Sequence, residues 1–590
     1  MRQGCVERLA VHTVVYSSEA GGFHASYSGV CYTLVNSGVG MVLREIESVN
    51  DQKREVSKQM GELMKQRIAK LRELEAKAAM GGGQEKIEKQ HQAQKLTARE
   101  RVERLVDPGS FIEFGKLYGH LDGAPGDGIV AGHGAIGGRQ VYVYSQDATV
   151  LGGSIGGFHG NKMYRTLERA MNDRVPIIGL HDSPGARIPR LGGGEGGGAG
   201  MAAALATGAL MFEKHGGSVF LPNTLASGVI PQIAAILGSC AGIAVYSPAL
   251  MDFIFMVDKI SHMFITGPRV VKSVTGEDID KEALGGAEVH AAVSGVADLR
   301  TPTEDECCAA IRKLVSFLPP SCDERAPVVE TGDDPYRLVP ELNDVIPEDP
   351  DKPYDVHELI IRVVDNRDFF EVKPEYAGEI VVGFGRLGGE TVGIVANQPM
   401  VYGGAMTCES SWKQARFIRF CDCFNIPLVI FVDTAAYAPG TEQEHGGIIR
   451  HGAKCLYALC EATVPRIEVV TRKAYGGGNL GMGVMPGLTT DYVLAWPLME
   501  AGVVGAKEAV MLFYGAEIFK SPDPQKAVEE KIKLYRETIA NPLLAVTAGP
   551  SFEDIIEPEQ TRRRLYQLLS VMKNKKVNRM PPKKHGNIPL

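Results

Sequence analysis

The chain has 590 residues, a formal net charge of -8, 44% hydrophobic and 23% charged residues, which is too long for one hydrophobic core and ordinary for a globular protein. Two large domains, or two plus an appendage, are expected. The acidic balance excludes the basic surplus of a nucleic-acid binder. No uninterrupted apolar run is long enough to span a bilayer, and the 11 cysteines contain no CxxC pair or zinc-ribbon spacing. Buried, inert thiols in a reducing compartment are the expectation.

In chain order, Met1 to Gly40 shows neither helical nor strand period and lacks the basic-then-apolar order of a secretory signal. Met41 is expected to lie nearer the functional start, which mass spectrometry of the natural N-terminus would test. From Val42 to about Lys95 strong helix formers dominate. Val56, Met60, Met64, Ile68 and Leu71 fall on one amphipathic face, interrupted after it by Met80-Gly-Gly-Gly83. This reads as a packing arm or oligomer contact. Leu96 to Phe111 reads as a capped helix with Thr97 as N-cap, ending before Pro108. Strand-like runs follow at Ile129–Val130, Val141–Ser145, Pro176–Leu180 and Ile230–Leu237, with helical sequence such as Asn161–Asn172 between them. Alternating strands and helices predict an α/β core. A Pro- and acid-rich linker runs from Pro319 to Pro353. The boundaries drawn are 1–95 for the N-terminal segment and arm, 96–330 for a first domain and 331–590 for a second.

The second half repeats the first. Asn425-Ile-Pro-Leu-Val-Ile-Phe-Val-Asp433 matches Arg174-Val-Pro-Ile-Ile-Gly-Leu-His-Asp182, and Thr463 to Val470 echoes Gly228 to Ala235. In each half an apolar strand ending in Asp precedes a Gly/Pro-rich loop, and a Pro-headed strand then runs into a glycine cluster. Two diverged copies of one domain explain both order and chemistry.

The glycine clusters are Leu237 to Leu250 and Thr471 to Gly483. Each follows a buried-looking strand and is expected to open a helix, where the first N–H groups lack intrahelical acceptors. Two such amides can hold a developing oxyanion. One Gly-rich turn is a weak signal; a matched pair suits transfer between two carbonyl compounds.

With these motifs the chain resembles the carboxyltransferase subunits of biotin-dependent acyl-CoA carboxylases and decarboxylases. The resemblance runs from about Leu96 to Leu590. It is carried by Leu96-Thr-Ala-Arg-Glu-Arg101, Pro125-Gly-Asp-Gly128, Tyr144-Ser-Gln-Asp147, Asp182-Ser-Pro-Gly-Ala-Arg-Ile188, Phe264-Ile-Thr-Gly-Pro268, Asn397-Gln-Pro399, Ala415-Arg-Phe417, Gly446-Gly-Ile-Ile-Arg-His-Gly452 and His585-Gly-Asn-Ile-Pro-Leu590. It implies two tandem crotonase-like β-β-α superhelix domains with an N-terminal helical arm. The N half would hold an acyl-CoA and the C half biotin, with the active site between two subunits of a hexamer, a trimer of dimers. It implies carboxybiotin on a separate carrier protein, a biotin carboxylase or membrane decarboxylase partner, a cytoplasmic setting and no metal. One oxyanion hole would be Gly242 and Ile243, the other Gly477 and Gly478. Ser183, Gly185, Ala186, Arg187 and Leu480 would line the substrate site, and Tyr475 and Asn479 the biotin site.

Two departures matter. Relatives usually carry Gly at Ile243, whose branched side chain narrows the pocket. Leu480 stands where propionyl-CoA-type enzymes carry Asp, and Tyr475 to Met482 is closer to the 3-methylcrotonyl-CoA carboxylase β loop, so a branched or unsaturated acyl group is an open alternative. Arg187 and Arg190 are candidates for CoA phosphates or for surface ion pairs, and Gly192 to Gly200 for a mobile loop or a surface insert. A His181–Asp182 dyad is disfavoured because adjacent strand residues face opposite ways. Tyr475 packs on biotin or serves as a core tyrosine. Neither a P-loop nor an Ala-Met-Lys-Met signal is present, so the chain is expected neither to consume ATP nor to carry biotin. The competing readings are the α subunit of a sodium-pumping methylmalonyl-CoA or glutaconyl-CoA decarboxylase, and a non-catalytic CoA-binding scaffold.

Overall fold

The computed structural model describes residues 39–120, 123–187, 219–548, 552–577 and 584–589. The expectations for Met1 to residue 38, Arg190 and the Gly192–Gly200 run lie outside these residues. Residues 39–74 form one unit and 75–590 another. In the first unit the helix Val39–Ala79 begins. Its predicted apolar face is solvent-exposed, from 40% at Ile68 to 66% at Met60.

The second unit contains two sheets of eight strands each. The first comprises β1 (Ile112–Glu113), β2 (Ile129–Ile136), β3 (Arg139–Gln146), β4 (Ile177–Ser183), β5 (Gln232–Ala241), β6 (Phe253–Val257), β7 (His262–Phe264) and β8 (Leu299–Thr301). The second comprises β9 (Phe370–Val372), β10 (Ile380–Leu387), β11 (Glu390–Asn397), β12 (Leu428–Thr434), β13 (Arg466–Tyr475), β14 (Tyr492–Ala495), β15 (Glu500–Gly502) and β16 (Asp554–Ile555). The strand orders are β1-β2-β3-β4-β5-β6-β8 and β9-β10-β11-β12-β13-β14-β16, with β7 beside β5 and β15 beside β13. An antiparallel hairpin starts each sheet, and parallel strands follow. This is the tandem crotonase-like architecture.

The duplication holds residue by residue. Ile177 faces Gln232 as Leu428 faces Arg466, and both pairings shift register one residue before the strand end. Pro231 and Pro465 therefore correspond, and each carbonyl accepts the first N–H of the neighbouring strand at 3.0 and 2.8 Å. The repeat written from sequence was one residue out of step at this point. Asp107 caps the Gly137-Gly138 hairpin and pairs with Arg312, while Asp365 caps Gly388-Gly389 and pairs with Arg562. Each arginine also donates to the last turn of a helix, at Leu105 O and Val363 O, both 2.6 Å. Lys162 and Lys413, one per half, are buried and donate to the opening carbonyls of β2 and β10, at Ile129 O (2.5 Å) and Ile380 O (2.7 Å). Burial pulls each ammonium down to about 8.

One cap matches the sequence reading and one helix boundary differs from it. Thr97 caps the helix Ala98–Leu105 in a reciprocal box with Glu100. The helix Gly157–Asn172 begins four residues before the expected Asn161. The halves meet along an aromatic seam, where Phe253 lies 4.6 Å from Phe420 and Phe317 stacks 6.2 Å from Phe384. Arg416 crosses it to donate to Met251 O at 2.8 Å.

Candidate active site

β5 and β13 lie near the centre of their sheets and deliver the two glycine turns. After β5, Gly242–Val245 makes a 3-10 turn and Tyr246–Ala249 a single helical turn. After β13, Gly476–Met482 forms a short helix. Gly242 (φ 60°) and Gly476 (φ 52°) are left-handed, so the chain can leave the strand and start the helix in one residue. The equal strand registers make Ile243 the counterpart of Gly477, and Ala244 that of Gly478. Gly477 is exposed and Gly478 buried. A Cβ at Gly478 would lie 2.8 Å from Ala436 C and O.

A second loop faces each turn. Ser183 is buried, and its Oγ accepts the Gly185 N–H at 3.2 Å. Ile155 N–H donates to Gly185 O, and Arg187 N–H to Ile155 O, both 2.9 Å. In the second half Met406 N–H donates to Ala436 O (3.0 Å), and Ala438 N–H to Met406 O (2.8 Å). This pattern turns the amides of Ala186 and Tyr437 away from the bridge. A Cβ on Gly185 would come 2.7 Å from Ala241 O and 4.0 Å from Ile243 N. The loop and the turn therefore form one backbone cradle in each half.

The second turn opens on a cleft of about 1110 Å3, a volume suited to a cofactor-sized ligand. Gly476, Gly477, Tyr437 and Lys473 line it, with Glu500 and Arg536. Tyr475 is 4% exposed and donates its hydroxyl to Glu500, which also pairs with Arg536 at 3.0 Å. Burial first, then Glu500, push the phenol upward. Tyr475 is thus built into the wall of the cleft. Asn479 Oδ1 is buried with no hydrogen-bond partner, and Leu480 on the same helix is 42% exposed.

Arg187 is committed to its own chain. It pairs with Asp127 at 2.6 Å and donates to Ser154 O at 2.9 Å. It also borders a cleft of about 640 Å3 with Tyr118, Phe158 and Arg165. His181 and Asp182 leave β4 on opposite faces: His181 lies 3.3 Å from the Tyr144 hydroxyl, Asp182 pairs with Arg101 and Lys95. Burial lowers His181 to about 3. Among the described residues no His/Cys/Asp/Glu group could hold a metal ion, and no helix is long and apolar enough to cross a membrane.

Sequence reasoning missed Lys95, Arg101, Lys162, Lys413 and the Tyr475–Glu500–Arg536 chain. The signal for the first two was the acid at each strand end, which needs a buried cation. Nothing local marks which distant cation supplies it.

Residues 89–588 match the family model described as the carboxyl transferase domain. The chain is 48% identical over 539 residues to the propionyl-CoA carboxylase carboxyltransferase subunit of Haloferax mediterranei, covering 89% of this chain and 100% of the relative. It is 47% identical over 536 residues to the methylmalonyl-CoA decarboxylase subunit alpha of Veillonella parvula, covering 89% and 99%. A structure of the hexameric transcarboxylase 12S with methylmalonyl-coenzyme A and methylmalonic acid bound superposes with a TM-score of 0.81 at 44% identity, covering 89% of this chain and 98% of that one. With matched cradles in both halves and these likenesses across nearly the whole chain, the protein belongs to the carboxyl transferase family and is an acyl-CoA carboxyltransferase of the propionyl-CoA carboxylase and methylmalonyl-CoA decarboxylase type.

Proposed function

We propose that this chain moves CO2 between carboxybiotin, carried on a separate protein, and the α-carbon of a short acyl-CoA such as propionyl-CoA. The single observation that carries the reading is the pair of backbone cradles that follow the matching strands β5 and β13 in two copies of one domain. An α-proton on a thioester is weakly acidic, so its loss requires a stabilised enolate oxygen; amides fixed at a turn supply that without reorganising. The first cradle, with Gly242, Ile243, Gly185 and Ala186, faces the thioester. Ser183 fixes the loop, and Arg187 orders the segment beside it through Asp127 and Ser154. The second cradle, with Gly477 and Gly478, faces the ureido oxygen, and Tyr475 and Asn479 border that end. When bound, carboxybiotin supplies the CO2 and a ureido nitrogen able to take the α-proton. Leu480 contacts the acyl chain. Its apolar side chain also suits a branched unsaturated group carboxylated at the vinylogous γ-carbon, which is the second reading.

The enzyme works as a homo-oligomer in the cytoplasm, with a biotin carrier and a biotin carboxylase or a membrane decarboxylase subunit. Val503 (86% exposed), Leu512 (74%), Phe513 (67%) and Phe519 (76%) support the oligomer, since one copy leaves these apolar side chains close together in sequence and open to water. The test is decarboxylation of a panel of carboxylated acyl-CoAs with free biotin as acceptor. Turnover of methylmalonyl-CoA is expected; a folded oligomer with no turnover on any member would refute the proposal, and selective turnover of methylglutaconyl-CoA would establish the second reading.

A further inference from the structure

The two halves neutralise one buried acid in different ways. Asp182 and Asp433 are the penultimate residues of β4 and β12, at matching positions, with 3% and 1% exposure. Each precedes the loop of its cradle. In the second half the cation comes from the neighbouring strand itself: Arg472 of β13 donates from Nε to Asp433 at 2.9 Å. The counterpart of Arg472 in β5 is Gly238. There the cations arrive from outside the sheet. Lys95 Nζ lies 2.5 Å and Arg101 Nη1 3.0 Å from Asp182. A Cβ at Gly238 would sit 2.0 Å from Asp182 Oδ1 and 2.7 Å from Lys95 Nζ, so the bare glycine is what admits them.

Arg101 does more than balance charge. Its side chain is fully buried. Nη2 donates to Leu237 O at 2.6 Å, and Nε and Nη2 grip Glu304 at 2.7 and 3.0 Å. One planar guanidinium therefore ties β4, which delivers the Ser183–Arg187 loop, to β5, which delivers Gly242 and Ile243. Counting from the Asp107 and Asp365 hairpin caps, the counterpart of Arg101 is Leu359, which is apolar and 0% exposed; the second half needs no such cation.

We propose that Arg101, assisted by Lys95, is a positioning residue for the first cradle, fixing the loop amides against the turn amides. The inference rests on the reading of that cradle as the thioester site. A one-atom change in the relation of the two backbones would leave ligand affinity largely intact and reduce stabilisation of the enolate.

The test uses the full-length protein, free biotin and the acyl-CoA shown to turn over. Arg101→Leu is expected to lower kcat more than tenfold with KM for the acyl-CoA changed less than threefold. Normal kcat in folded Arg101→Leu, or a KM for the acyl-CoA that rises as much as kcat falls, would overturn the proposal. Where Arg101→Leu does not fold, Lys95→Met decides: a two- to fivefold fall in kcat at unchanged Tm supports the role, and unchanged kcat refutes it. Inactivity of the wild type with every acyl-CoA would count against the carboxyltransferase reading itself, and is thereby distinguishable.

Discussion

Adding one methyl group separates the two glycines that follow Gly476. Gly478 is helical and has no left-handed φ, so alanine there costs nothing in backbone conformation. The cost is steric: its Cβ would lie 2.8 Å from Ala436 C and O and 2.9 Å from Thr434 Oγ1. The Ala436 atoms are backbone and cannot rotate away, and Ala436 is pinned by Met406. The helix Gly476–Met482 must therefore move off the 434–437 loop. Overpacking of this kind costs about 1–3 kcal/mol. Moving one side of the cradle by several tenths of an ångström should lower turnover on the order of a hundredfold, as loss of one oxyanion donor does. At Gly477 the added Cβ meets only the Tyr437 ring, Cδ2 at 3.2 Å and Cε2 at 3.7 Å, and a small ring shift accommodates it. The assay is kcat with free biotin for Gly477→Ala and Gly478→Ala, with Tm measured alongside. Equal losses in the two variants, or normal turnover in Gly478→Ala, would refute the argument that the loop and turn act as one cradle.

Lys413→Met should lower stability by about 1–3 kcal/mol for each carbonyl it leaves dry, chiefly Tyr376 O and Ile380 O, read by urea unfolding. Because burial lowers Lys413 to about 8 from 10.5, the folded chain binds fewer protons than the unfolded one between those values. The wild type should gain stability with pH across that window, and the variant should lose the share of that slope that Lys413 contributes, keeping the share due to Lys162. Arg562→Leu leaves Asp365 buried without its cation, at 0% and 1% side-chain exposure; a loss of about 3–5 kcal/mol is expected, and a shift in Tm under 1 °C would contradict it. His357 sits between Glu371 (2.9 Å) and Asp355 (2.6 Å), and the Glu371 hydrogen bond leads in raising it to about 9. A raised base stabilises fully below its unfolded value near 6.5 and loses that contribution as pH rises through about 9. The gap in urea midpoint between wild type and His357→Gln should be wide at pH 6 and closed at pH 10; a constant gap would disprove the linkage.

The duplication and both glycine turns were legible because their signals are local: an apolar strand, an Asp, a Pro-headed strand, a glycine cluster. The first hairpin was not. β2 extends from Ile129 to Ile136, yet only Ile129–Val130 read as strand, because Gly132 and Gly134 break the apolar pattern. Both are glycine for packing: a Cβ at Gly132 would lie 2.2 Å from Ile112 O, and one at Gly134 3.2 Å from Val106. The helix start at Gly157 was hidden in the same way by Gly157 and Gly160. The exposed face of the Val39–Ala79 helix shows the opposite limit: its period was plain, but period alone does not say what covers it.

What differs between the two copies is informative because so much else is held equal. The hairpin clamp, the buried lysine, the strand-end acid and the strand register recur in both. The changes fall beside the cradles: Ile243 against Gly477, and Gly238 against Arg472. A branched side chain at the first turn removes free volume next to its amides. The second turn keeps two hydrogen atoms in that place and opens on a broad cleft. At this position the first turn is thus the more confined of the two, and its strands are held by a guanidinium from outside the sheet. Confinement suits the end where a small acyl group must lose a proton in a site short of water. Openness suits the end where a carrier protein must present and withdraw its cargo. The proposed assignment of the acyl-CoA to the first cradle and of biotin to the second draws support from that asymmetry, and placing the second turn's glycine at the first, Ile243→Gly, should widen the range of acyl chains accepted while leaving KM for free biotin unchanged; a variant whose acyl selectivity stays the same would show that confinement at Ile243 does not set it.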